Sequence, residues 1–323
     1  MASLRVLRPG PLTTVQDLGR SGHLKEGVSL GGALDRHGAR IANLLAGNLE
    51  TAALLEVTLG NAAFQFQDER VIAWCGGKFR AEIGGEQIPP GHAVAVAPGE
   101  ELTIGAAERG CRLWLAISGG IDVSPILESR STDQRAGFGG FEGRGLRAGD
   151  ELALGKSSRS FSYGPRIASW SAPIEWSQTA SSRPFLRILR GAEWEEFTDA
   201  SQTAFLKDPF PVSQRSDRMG VRLEGAVLQR SQPNERLSEP VAPGTIQVPN
   251  DGGPILLLGD CQTIGGYPKI AHVITVDLAL AAQLSPNDLV RFREVSLAQA
   301  MALFRARERD LQRFRVGLQF RSQ

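Results

Sequence analysis

The chain has 323 residues, 41% of them hydrophobic and 22% charged, with a formal net charge of +1. That is an ordinary globular balance, and a length suited to two cores, because single cores rarely grow past roughly 250–300 residues. Near-neutral charge gives no footing for a nucleic-acid or anionic-membrane partner, and no apolar run approaches the ~20 residues that span a bilayer.

The first nine residues lack a charged-then-apolar leader, so a cytoplasmic protein is expected. Cys75, Cys111 and Cys261 are odd in number and far apart, which argues against a disulfide framework and fits a reducing compartment. His23, His37, His92 and His272 are equally scattered, with no CxxC or HExxH, so no metal site is expected.

Residues 34–46 read as the first helix, with Leu34, Ile41 and Leu45 on one face and Gly47-Asn48 as its stop. A short helix is predicted over 50–55. Apolar runs at 71–75, 93–97, 102–104 and 113–117 read as strands, separated by turn pairs such as Gly84-Gly85 and Pro98-Gly99. Between residues 156 and 183 the composition shifts to Ser, Pro and Trp. That is the best boundary, although Trp170 and Trp176 predict an ordered connection rather than a free linker. Strands follow at 186–189, 246–248, 255–258 and 273–276, with helices at 194–206 and 278–284, the latter capped by Asp277. Ser296 and Gln299 form a capping-box pattern ahead of a tail helix, whose Leu297, Met301, Phe304 and Leu311 share one face. Many short strands and few helices define a mainly β protein of two lobes, 1–165 and 166–295, followed by a C-terminal helix over 296–323.

Three motif matches fail on context. Gly155-Lys156-Ser157 lacks the earlier glycine of a P-loop, since position 150 is Asp150, and no helix follows to supply converging N–H groups. Gly143-Arg144-Gly145 with Ala148 spells a dinucleotide fingerprint but runs into a turn and a strand. Ser118 lacks the preceding glycine of a nucleophile elbow.

Four segments carry more Gly, Asp, Arg and amide residues than turns require. They are 10–35, containing Asp17, Arg20 and Asp35; 118–143, containing Ser118-Gly119-Gly120-Ile121-Asp122; 216–223, containing Arg218; and 243–269. The last holds Gln247, Asp260, Gln262, Thr263, Gly265, Gly266, Tyr267 and Lys269. Paired glycines allow close backbone approach to a ligand, and Asp260, Gln262 and Thr263 place an acceptor, an amide and a hydroxyl within a few residues. Such a loop could bind a carboxylate or ureido group and stabilise an oxyanion. A hairpin turn whose side chains satisfy their own backbone reads equally well.

The strings TTVQDLGR, SGGID, SDRMG, GTIQV and QTIGGYPKIA stand in this order along residues 4–293. Together they resemble the biotin-dependent carboxyltransferase family, also named after allophanate hydrolase subunit 2. Its members include the C subunit of bacterial 5-oxoprolinase, the antagonist of a sporulation-kinase inhibitor and part of urea carboxylase. Cys261 stands where the resemblance leads one to expect Arg or another polar residue, and Arg215 where it leads one to expect Gln.

The resemblance implies cyclophilin-like β-barrel architecture. It also implies two partners, a companion B subunit of the kinase-inhibitor type and a third, A-type subunit, with ATP used by the complex to open the lactam of 5-oxoproline to glutamate. Its alternatives are transfer of a carboxyl group from carboxybiotin to a urea- or amide-like substrate, or a non-enzymatic regulator that binds the kinase-inhibitor-type companion. Any biotin must sit on another chain, because none of Met1, Met219 and Met301 adjoins a Lys. In the site so implied, Lys269 and Arg218 counter negative charge, and Asp260 acts as acceptor or general base. Asp17, Arg20, Asp35, Gln247, Gln262, Thr263, Gly265, Gly266 and Tyr267 bind substrate. Asp17, Arg20 and Asp35 are expected to face the same cleft as the 260–269 loop.

Overall fold

The computed structural model describes residues 3–157, 166–179, 181, 184–232 and 237–321. Two compact units divide the chain. Met1–Ser21, Gly31–Ala180 and Leu311–Gln323 make one, and Gly22–Leu30 with Ser181–Asp310 make the other. Strand outweighs helix among the described residues, so the mainly β reading holds.

The first unit contains two six-stranded sheets. One runs in the order Glu151–Ala153, Ser3–Pro9, Gly60–Phe66, Glu101–Ala106, Ala81–Ile83, Glu86–Gln87; the other Ile167–Ser171, His92–Val96, Arg70–Lys78, Arg109–Ile117, Leu54–Thr58, Leu12–Gln16. They share one core. Leu4, Val6, Phe64 and Phe66 from the first meet Val15, Val57, Trp74 and Leu115 from the second. Alternation in Ser3–Pro9 buries one face only. Arg109–Ile117 is instead buried along nearly its whole length, because the helix Arg36–Ala46 covers its other face. That helix starts at Asp35, whose carboxylate accepts from Gly38 N at 2.8 Å, and stops at Gly47 in the left-handed region.

The helix expected over 50–55 is not formed. Residues 54 and 55 open the strand Leu54–Thr58, because its neighbours on both sides supply a ladder and a buried partner for Glu56. The Glu56 carboxylate accepts from Trp114 Nε1 at 2.8 Å and Leu34 N at 3.2 Å. In the expected linker, residues 158–165, 180 and 182–183 lie outside the described residues. Trp176 packs edge-on against His37 and Phe314 within the first unit.

The second unit is built on a seven-stranded sheet in the order Phe210–Pro211, Leu289–Glu294, Phe185–Arg190, Lys269–Val273, Thr245–Gln247, Ile255–Leu257, Gly220–Arg222. Phe185–Arg190 pairs parallel with Leu289–Glu294; the other neighbours in this sheet pair antiparallel. Phe205 stacks on Phe292 at 4.5 Å and, with Trp194 and Phe210, anchors the helix Asp199–Lys207 to the sheet. Three expected elements shift. The helix at 194–206 splits into a 3-10 turn, Trp194–Glu196, and Asp199–Lys207, because Thr198 caps a fresh start through Ser201 N. The strand placed at 273–276 is really Lys269–Val273, since Thr275–Asp277 turns into a 3-10 helix that runs into Leu278–Ala281. The helix expected over 278–284 is only Leu278–Ala281, and Asp277 gives it no side-chain cap because its carboxylate accepts from Arg187. The tail helix Leu297–Arg321 begins on the expected capping box, with Gln299 N donating to Ser296 Oγ at 3.2 Å and Ser296 N to Gln299 Oε1 at 2.9 Å. Of its four apolar residues Leu311 is buried, while Leu297, Met301 and Phe304 stay largely exposed.

Candidate active site

The charged centre of the second unit is Lys269. A β-bulge between Ile246 and Gln247 puts Gln247 opposite Lys269 at the start of the strand Lys269–Val273. Bulges re-aim side chains, and here the ammonium is carried into a buried position. Its Nζ contacts Glu239 Oε2 and lies 3.8 Å from Glu193 Oε1, while its backbone N donates to Glu193 Oε2 at 2.8 Å. Glu239 is delivered by a two-stranded ribbon, Glu239–Pro240 against Ile264–Gly265. Glu193 arrives from the turn after Phe185–Arg190. A Cβ on Gly191 would lie 1.9 Å from Lys269 O, so this backbone approach requires glycine. Glu193 is buried, whereas half of the Glu239 side chain is exposed, so only Glu239 is open to a ligand.

Amides extend the cluster. Gln262 Nε2 donates to Gln247 Oε1 at 3.3 Å, and Gln247 Nε2 donates to Tyr267 O at 3.3 Å. Gly265 packs on this chain: a Cβ there would come within 2.7 Å of Gln247 Nε2. Thr263 pairs through its backbone with Val241 N at 3.0 Å. Gly266 follows the ribbon, and Tyr267 with Ile264 leaves an exposed rim. Next along the strand, His272 Nδ1 lies 3.3 Å from Thr245 Oγ1. Burial, then the charge of Lys269, lowers the His272 pKa, with Glu193 opposing.

Arg218 and Asp260 form a bidentate pair, Nε–Oδ2 at 2.8 Å and Nη2–Oδ1 at 3.0 Å, with both side chains nearly buried. Both Asp260 oxygens accept from Arg218, so the carboxylate is held in one orientation. Cys261 is buried against Val241 and Leu257, and burial with the neighbouring Asp260 pushes its thiol up to about 12. It is a packing residue. Arg215 is exposed in the turn ahead of Asp217.

Asp17, Arg20 and Asp35 belong to the first unit and have structural partners there. Asp17 accepts from Ser129 Oγ and Ser131 Oγ at 2.6 Å, Arg130 N at 2.5 Å and Gly19 N at 2.8 Å. Arg20 is fully buried, donates to Ser131 O and stands over the Phe138 ring at 4.6 Å. Asp35 caps its helix. Sequence reasoning missed Glu193, Glu239, Thr245 and His272; the only local signal was Gly191, two residues before Glu193. Among the described residues no group of three or more His, Cys, Asp or Glu could hold a metal ion, and no helix is long and apolar enough to cross a membrane.

This mainly β fold has known counterparts. The family described as carboxyltransferase domain, subdomain A and B, matches residues 26–294, and the chain belongs to that family. Within it, the chain is 40% identical to the C subunit of 5-oxoprolinase from Escherichia coli over 318 residues, 98% of each chain. It is 36% identical to the C subunit of 5-oxoprolinase from Haemophilus influenzae over 94% of each chain. The urea amidolyase of Saccharomyces cerevisiae is 31% identical over 93% of this chain but only 17% of its own length. The crystal structure of Kluyveromyces lactis urea amidolyase superposes with a TM-score of 0.89 at 30% identity, covering 97% of this chain and 20% of that one.

Proposed function

We propose that this chain is the C subunit of a 5-oxoprolinase, acting in the cytoplasm with companion subunits to open the lactam of 5-oxoproline to glutamate at the expense of ATP. The supporting observation is the end-to-end similarity to a 5-oxoprolinase C subunit, 40% identical over 98% of both chains. The companions are the kinase-inhibitor-like B subunit and the A-type subunit, and ATP enters through the complex. Lactam opening needs a counter-charge for the carbonyl oxygen, hydrogen bonds that orient the amide and an acceptor for a proton. Lys269 supplies the first and Gln262, relayed by Gln247, the second. Glu239, the half-exposed carboxylate on Lys269, supplies the third. Phosphorylation of the lactam oxygen by ATP would make the carbonyl carbon open to attack by water.

Reconstitution tests the reading. The chain alone should leave 5-oxoproline untouched, and addition of both companion subunits should give ATP-dependent conversion to glutamate. Turnover by the single chain, or none by the full set, counts against it. The family name and the superposition on urea amidolyase support a second reading, carboxyl transfer from a biotin carried on another chain. Carboxybiotin-dependent consumption of urea by the same preparation would select it.

A further inference from the structure

One of the strings that carry the family resemblance, SGGID, lines a cleft of ≈ 480 Å³ in the first unit, and Asp17 of another, TTVQDLGR, holds the backbone of Arg130 on its wall. Gly119, Gly120, Ile121 and Asp122 line one wall, Arg130 and Lys156 lie on it as cations, and Ala52 and Ala53 contribute an apolar patch. Buried charges hold the backbone that carries both cations. Arg130 N donates to Asp17 at 2.5 Å and Arg130 Nε to Val123 O at 2.9 Å. Its Nη1 and Nη2 make no hydrogen bond with the described residues. Asp17 therefore fixes the Arg130 backbone, and Val123 O orients the guanidinium. The buried Arg70 donates through Nη1 to Ser118 O at 2.6 Å and to Gly155 O at 2.8 Å. That clamp sets Lys156 beside Gly119, where a Cβ would lie 2.2 Å from Gly155 O. Lys156 has no ion-pair partner among the described residues.

A free planar fork with a second cation suits a carboxylate, which accepts two parallel N–H bonds. The volume fits a small molecule. Asp122, exposed on the same wall, is an acceptor for a ligand N–H. We infer that this cleft of the first unit is a binding site for a small carboxylate bearing an N–H group, an amino or lactam acid. The inference does not depend on which reaction the complex performs.

Titration calorimetry on the purified chain tests it, with 5-oxoproline, glutamate, cyclopentanecarboxylate and inorganic phosphate as probes. At least one of the two N–H acids should saturate the chain and bind more tightly than the ring acid that lacks N–H, and phosphate should not compete. Arg130→Gln and Lys156→Gln should each weaken binding by about tenfold, the loss of a charge-assisted hydrogen bond. Lys156 is exposed, so its variant tests the site even where Arg130→Gln disturbs the loop. Binding that is absent from the unaltered chain, equal for phosphate, or unchanged in folded Lys156→Gln overturns the inference.

Discussion

Lys269 stands between a carboxylate with access to water and one without, and the two respond differently to its loss. In Lys269→Met, Glu239 can rehydrate, but the buried Glu193 carboxylate loses the ammonium beside it. Breaking a buried pair costs about 3 kcal/mol, so the denaturation midpoint should fall along with activity of the reconstituted complex. The Arg218–Asp260 pair separates scaffold from chemistry. Either single apolar substitution should destabilise by about 3 kcal/mol, whereas Arg218→Met with Asp260→Leu should recover most of that loss, because a well-packed apolar pair can replace an ion pair. If the pair also acts on substrate, the double variant regains stability and stays inactive; recovery of both would make it scaffold alone. His272 adds a pH dependence. Its folded pKa lies below the ordinary 6.5, so the unfolded chain takes the proton first. Its contribution is complete above about pH 6.5 and is lost as pH falls from there through the folded pKa. Urea unfolding from about pH 7.5 to about pH 5.5 should show a slope that His272→Gln reduces.

At the level of elements, Asp35 distinguishes capping from binding. Asp35→Ala should cost about 1 kcal/mol in unfolding free energy, and Asp35→Ser, which keeps the acceptor for Gly38 N, should recover most of it. Full activity in Asp35→Ser would show that the residue serves the helix and not the substrate. Elements with local signals were legible. The helix Arg36–Ala46 carried its periodicity, cap and stop, and the tail helix its capping box. The strands Arg70–Lys78 and Arg109–Ile117 showed short apolar runs between turn residues. Leu54–Thr58 was not legible, because what makes it a strand is Trp114 and Arg112 on a neighbour far along the chain. The site divides the same way. Lys269, Gln262 and Gly265 stood out as one dense loop, while Glu193 and Glu239 lie 76 and 30 residues away, with Gly191 near the first as the one local mark. Asp17 and Arg20, which the sequence allows as ligands or as loop ties, both bond to the 129–131 turn, since charge among glycines signals a constrained loop as readily as a substrate.

Over the whole molecule, Cys75, Cys111 and Cys261 are all buried. Burial raises the thiols of Cys75 and Cys261, so a thiol reagent at about pH 8 should label neither in the native chain and all three cysteines after denaturation. Fast native labelling at Cys261 would contradict its place in the core. The parallel pairing of Phe185–Arg190 with Leu289–Glu294 bears on synthesis. When residues 185–190 leave the ribosome, neither of their sheet partners, Lys269–Val273 or Leu289–Glu294, has been made. The second partner follows about 100 residues later, a wait of roughly 5–20 s at ~5–20 residues per second. Until Lys269–Val273 is made the strand has two open edges, and it is then that the growing chain is most exposed to pairing with the wrong neighbour.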